Sequence, residues 1–203
     1  MLDLNNVNLE NNNTQSFELI PDRTIVRAVI KLVGGEVEKQ EFGSGNYFKR
    51  SANTGSTWLP MEFTIIGGPY DRRKVWENIF VDGPKLNANG VSIAKEIGIR
   101  TLRQIVDSAF NIKSTDNSAE ASAKRNLAGV HQLDNLEFCF RVGIQKADDN
   151  YPAKNRLGAV ITPDMEGYIV GNQQTVAPAN PVATPVVQTN TTATAGSVPE
   201  WAK

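Results

Sequence analysis

Apolar side chains fall at every second position in three stretches of this chain, and a period of two commits such stretches to β-strands. In an extended backbone successive side chains point to opposite faces, so one parity can be buried while the other meets water. Val26, Ala28, Ile30 and Leu32 share one parity, with Ile25, Arg27, Val29 and Lys31 on the other. Leu59, Met61, Phe63 and Ile65 repeat the pattern, opposite Trp58, Glu62 and Thr64. Phe138, Phe140, Val142 and Ile144 repeat it again, opposite Glu137, Cys139 and Arg141. The run from Lys74 to Val81 differs, being apolar on both parities: Val75, Ile79 and Val81 against Trp76 and Phe80. Such a strand is either covered on both sides or offers its aromatics to a ligand. Leu157–Ile161 completes a set of five expected strands.

The breaks between these runs carry turn chemistry. Gly34-Gly35, Gly67-Gly68-Pro69, Asp82-Gly83-Pro84 and Asp148-Asp149-Asn150 each end a strand. Ser92 can cap a helix running to about Phe110, in which Ile99, Leu102, Val106 and Phe110 recur at spacings of three and four. Residues 113–128 are polar and read as a loop or a short surface helix. Residues 1–20, rich in Asn, read as a loose arm. From residue 171 to 203 the composition falls to Ala, Pro, Thr, Val, Asn and Gln, too little apolar area to offset ordering, so disorder is expected. That tail ends in Pro199-Glu200-Trp201-Ala202-Lys203, where Trp201 is a candidate anchor for a protein partner.

Scarcity limits the chemistry. One histidine (His131) and one cysteine (Cys139) rule out a Cys/His zinc cluster and an internal disulfide. No strained nucleophile elbow surrounds Ser or Cys, Gly43-Ser44-Gly45 lacks the Lys-Ser/Thr and helix of a phosphate loop, and the carboxylates are scattered. Catalysis is not indicated, no cofactor is called for, and a metal site is not expected. No apolar run approaches the roughly 20 residues that span a bilayer, and the N-terminus lacks a secretory pattern. A soluble cytoplasmic protein is expected.

Against that background, three clusters of aromatic and basic residues stand out between the strands. They are Tyr47-Phe48-Lys49-Arg50, Tyr70-Asp71-Arg72-Arg73-Lys74, and Tyr151 followed by Lys154 and Arg156. An aromatic face stacks on any base for about 1–3 kcal/mol, and an adjacent cation holds the phosphate that base carries. The formal charge of −1 hides an uneven distribution: residues 23–156 hold 20 Lys/Arg against 15 Asp/Glu, a net of +5 between acidic ends. A mildly basic middle suits a polyanion ligand.

Three strands, a helix and two strands is the chain order of an OB-fold, a five-stranded barrel that binds oligonucleotides on strands 2 and 3 and on the 1–2 and 4–5 loops. The expectation is therefore a mostly β domain over residues 21–170, OB-fold-like with β-β-β-α-β-β order. The first cluster would lie in the 1–2 loop, the second between strands 2 and 3, and the third in the 4–5 loop. Gly43–Phe48, Gly55–Phe63, Arg73–Glu77, Leu102–Phe110 and the Pro199–Lys203 ending also carry a resemblance. Over about residues 17–168 the chain resembles small phage early proteins, encoded among replication and recombination genes and regarded as single-stranded DNA-binding proteins. Cellular single-stranded DNA-binding proteins close with an acidic tip and Pro-Phe for docking enzymes. This tail has only Glu200 beside Trp201.

Together these readings give a non-enzymatic, sequence-tolerant single-stranded DNA-binding protein, acting in the cytoplasm of an infected host. Tyr47, Phe48, Trp58, Tyr70, Trp76 and Tyr151 are the expected stacking residues, with burial in the core the competing reading for Trp58 and Trp76. Lys49, Arg50, Arg72, Arg73, Lys74, Lys154 and Arg156 are the expected phosphate contacts, with Arg27 and Lys31 as additions. The alternative is a structural or adaptor β-barrel of a virion or replisome that recruits a protein through its tail.

Overall fold

A computed structural model of the chain describes residues 18–149 and 151–170. Seven strands, all paired antiparallel, and two α-helices make up the described part: β1 (Ile25–Leu32), β2 (Val37–Glu38), β3 (Asn46–Arg50), β4 (Thr57–Ile65), β5 (Lys74–Asp82), α1 (Ile93–Ala109), α2 (Ala119–Arg125), β6 (Glu137–Gln145) and β7 (Lys154–Ile161). The five long strands coincide with the five runs expected from the sequence. In space they run β5-β4-β1-β6-β7. The short β2–β3 hairpin attaches where β4 extends beyond its ladder with β1: β1 covers Met61–Ile65, and β3 covers Thr57 and Trp58.

The parity read from the sequence holds on the inner face. Val26, Ala28 and Ile30 of β1, Leu59, Met61, Phe63 and Ile65 of β4, and Phe138, Phe140 and Val142 of β6 are all buried. Their centre is aromatic: Phe63 stands 5.0 Å from Phe138 and 5.6 Å from Phe140, ring to ring. Edge-to-face and offset pairs at such separations add about 0.5–1.5 kcal/mol beyond area burial. Ile20, at the end of the expected arm, is buried too. Its backbone N–H donates to Asn155 Oδ1 (2.9 Å), and its carbonyl accepts from Asn155 Nδ2 (2.8 Å).

α1 starts as expected, with Ser92 Oγ accepting from the Lys95 N–H at 3.3 Å. Its buried stripe is rotated from the expected one. Leu102 and Val106 are buried and Phe110 packs half-buried against the core, but Ile99 is exposed, and Ile105 is in the core instead. Gly98 explains the rotation: a Cβ there would stand 1.9 Å from the Phe80 carbonyl oxygen, so only glycine lets the helix lie so close to β5.

The sheet curls until β5 and β7 lie side by side, but among the described residues no backbone ladder joins them. Side chains bridge the seam instead. Glu77 of β5 accepts from the Leu157 N–H (3.1 Å) and faces Arg156 Nε at 3.5 Å on β7. The expected barrel therefore stands as an open sheet of five long strands plus a hairpin. No helix among the described residues is long and apolar enough to cross a membrane.

Candidate nucleic-acid interface

The outer face of β4 and β5 is built by register. Across the ladders Lys49, Trp58 and Phe80 form one row, Pro60 and Asn78 the next, then Lys31, Glu62 and Trp76, then Val29, Thr64 and Lys74. Directly opposed residues share a face, so three aromatics and three lysines are carried on one surface. Trp76 is 57% exposed and Phe80 44%. Both occupy the same parity of β5, four residues apart, which is about 13 Å at the rise of a strand. Trp58 is half-buried and tilts against Phe80, with centroids 5.7 Å apart. Both tryptophans thus point away from the core. Phe80 was not among the expected stacking residues, although its parity with Trp76 was visible in the sequence.

The second and third clusters meet at the rim of this face. Arg72, Arg73, Lys74 and Trp76 line one cleft with Lys154 and Asn155 of β7. A neighbouring cleft continues along the seam between Trp76, Asn78, Phe80, Lys154 and Arg156. The two share Trp76 and Lys154, so they form one groove lying over the unpaired edges of β5 and β7.

The turn that supplies Arg72 is tightly built. Gly67 and Gly68 take positive φ, the Gly67 N–H donates to Asp71 Oδ1 (2.7 Å), and Arg72 itself sits at φ 63°. A non-glycine residue in the left-handed region costs about 1–2 kcal/mol. The Arg72 side chain is 92% exposed there, with Asp71 3.6 Å away.

Several expected site residues are placed elsewhere. Phe48 is completely buried and packs on Phe42 at 5.3 Å. The segment expected as loop is strand β3, whose alternation turns Phe48 inward and Lys49 outward, so Phe48 is corrected from stacking residue to core residue. Tyr47 and Tyr70 are half-buried and lean on the core. Tyr151 is 66% exposed on the β6–β7 connection, outside the groove lining. Arg50 is exposed at the end of β3, and Arg73 is half-buried, its Nη1 donating to the Glu18 carbonyl at 2.6 Å. Arg27 pairs with Glu137 and is mostly covered. Trp201 and the whole tail of residues 171–203 lie outside the described residues, as does the arm through residue 17.

Charge on the face is partly balanced. Glu62 binds Lys74 Nζ at 2.8 Å, and this hydrogen bond holds its carboxyl below the usual range against the opposing effect of burial. Glu77 faces Arg156. Lys31, Lys49, Arg50 and Lys154 make no ion pair among the described residues. No group of three or more His, Cys, Asp or Glu side chains among the described residues is placed to hold a metal ion. Cys139 is buried, with its thiol pushed up to about 11 by desolvation. Comparison of the chain with protein-family models and with curated proteins gives no match.

Proposed function

We propose that this protein binds single-stranded DNA without sequence preference, laying the strand along the outer face of β4–β5 and the β5–β7 groove. The observation that carries the reading is the exposed pair Trp76 and Phe80 on one parity of β5, flanked by Lys49, Lys74, Lys154 and Arg156. Leaving two large aromatics about half exposed on a strand forfeits part of their burial, and base stacking recovers it at about 1–3 kcal/mol per base. A spacing of about 13 Å suits bases two nucleotides apart on an extended strand. The lysines and arginines beside them meet the phosphates as point charges and forks.

In this reading the five long strands are those of an OB-fold whose last pairing, β5 with β7, is left open to the ligand. The face used is the one such folds use, on their second and third strands. The phage proteins that the sequence resembles supply the setting: protection of strands exposed during replication or recombination.

The test is anisotropy of a labelled dT oligonucleotide, and of a duplex, titrated with protein from low to moderate salt. With about four phosphate contacts, log affinity should fall against log salt with a slope near −3, at roughly −0.7 per contact. Duplex binding should be far weaker, because paired bases present no face to stack on. A folded protein that binds neither form, or binds duplex equally well, would sink the proposal.

A further inference from the structure

A carboxylate at the centre of a polyanion-binding face needs a reason. Glu62 lies on β4 directly between Lys31 of β1 and Trp76 of β5, and its side chain is 12% exposed. One oxygen, Oε1, stands 2.8 Å from Lys74 Nζ. The other, Oε2, accepts the Trp76 indole N–H at 3.1 Å. Each oxygen thus holds a different ligand-facing group.

The indole N–H is the only polar donor that tryptophan has. With that donor engaged by Glu62, Trp76 offers a ligand its π-face and no hydrogen bond. The same contact ties down one edge of the ring, so the face is presented in a fixed orientation. Lys74 has three donors and uses one on Glu62. Its charge is largely balanced until a phosphate competes for it.

Resting on the strand-binding reading above, we infer that Glu62 is the positioning and specificity-determining residue of the face: by occupying the Trp76 donor it makes stacking blind to base identity, and by holding Lys74 it weakens the phosphate contact there. The ligand class is then any single strand with accessible bases, whatever its composition. Sequence tolerance becomes a built property of one side chain. Affinity is correspondingly below what the cations alone would give.

Two variants separate these roles. Glu62→Gln keeps an acceptor for the indole and removes the charge that balances Lys74. Glu62→Ala removes both. Each would be titrated with dT, dA and dC oligonucleotides across a salt series, alongside thermal unfolding. Glu62→Gln should bind severalfold more tightly at low salt, with a slope steeper by up to about 0.7 and the three-base affinity ratio unchanged. Glu62→Ala should share the steeper slope and, with the indole N–H free, acquire a base preference of at least severalfold. Unchanged slope and base ratio in both variants, with only a lowered melting temperature, would overturn the inference and leave Glu62 a structural residue. A wild-type protein that binds no strand would overturn this inference and the strand-binding reading together; a wild type that binds, with neither variant altered, overturns this one alone.

Discussion

The sheet has two outer surfaces, and the protein treats them in opposite ways. On the β1–β6–β7 side the outward residues Ile25, Cys139 and Ile161 are roofed by the segment after β7, which brings Tyr168 and Ile169 down on them. That roof is pinned at both ends. The Tyr168 hydroxyl donates to the Ser108 carbonyl (2.7 Å), and Asp164 accepts from the Ser114 N–H (3.2 Å) and the Thr162 hydroxyl (2.7 Å). On the β4–β5 side the larger Trp76 and Phe80 are left about half exposed, with no segment laid over them among the described residues. The fold therefore has the means to cover an outer face and uses it on one side. Under the strand-binding proposal, the exposed aromatics beside cations on β4–β5 are the surface kept for the ligand.

If that contrast is functional, substitutions on the two sides should separate stability from binding. The largest effect is expected for Trp76→Ala with Phe80→Ala. Losing two stacking faces should weaken single-strand binding by about 2–6 kcal/mol, with a smaller loss of stability, on the order of the 0.5–1.5 kcal/mol of the Trp58–Phe80 pair. Ile169→Ala should do the reverse, costing about 2–5 kcal/mol of stability for a buried isoleucine while leaving oligonucleotide affinity intact.

The roof also shields a thiol. Because burial pushes Cys139 up to about 11, it is protonated at pH 8, and maleimide labelling should be slower than for the unfolded chain by on the order of a hundredfold. Labelling of native protein at the unfolded rate would mean the roof is open.

Smaller effects test the rim. Lys154→Ala should flatten the salt slope by roughly 0.7, one phosphate contact on a single strand. Arg72→Gly should raise stability by about 1 kcal/mol by relieving a left-handed arginine while weakening binding slightly. A gain in both would remove Arg72 from the interface.

Much of the fold was legible because period two is a strong signal where one face is buried. β1, β4 and β6 each carry three or four alternating apolar residues, and Ser92 caps a helix in the right place. The β2–β3 hairpin was not legible. Val37–Glu38 is too short to show a period, and Gly43-Ser44-Gly45 makes the approach to β3 look like open loop. Reading Tyr47-Phe48 as loop then made both seem exposed, whereas a strand sends Phe48 inward. The roof was invisible for a related reason: Tyr168 and Ile169 belong to no repeating pattern, and only the position of Cys139 gives them something to cover. On the proposed face, the cations and Trp76 already stand out in the sequence, in the aromatic-basic clusters and the run from Lys74 to Val81. Phe80 was missed because two-sided apolarity in β5 left its direction open until the register fixed it. Glu62 carried no signal at all, since its contact with Trp76 depends on the two lying directly across the ladder.

The most direct measurement is ultraviolet cross-linking of the protein to a dT oligonucleotide, followed by mass mapping of the linked peptides. The account predicts adducts within Lys74–Asp82, at Trp76 and Phe80, with weaker ones near Lys154–Arg156. Adducts confined to the roofed side, within Glu137–Ile144 or Thr162–Val170, would contradict it.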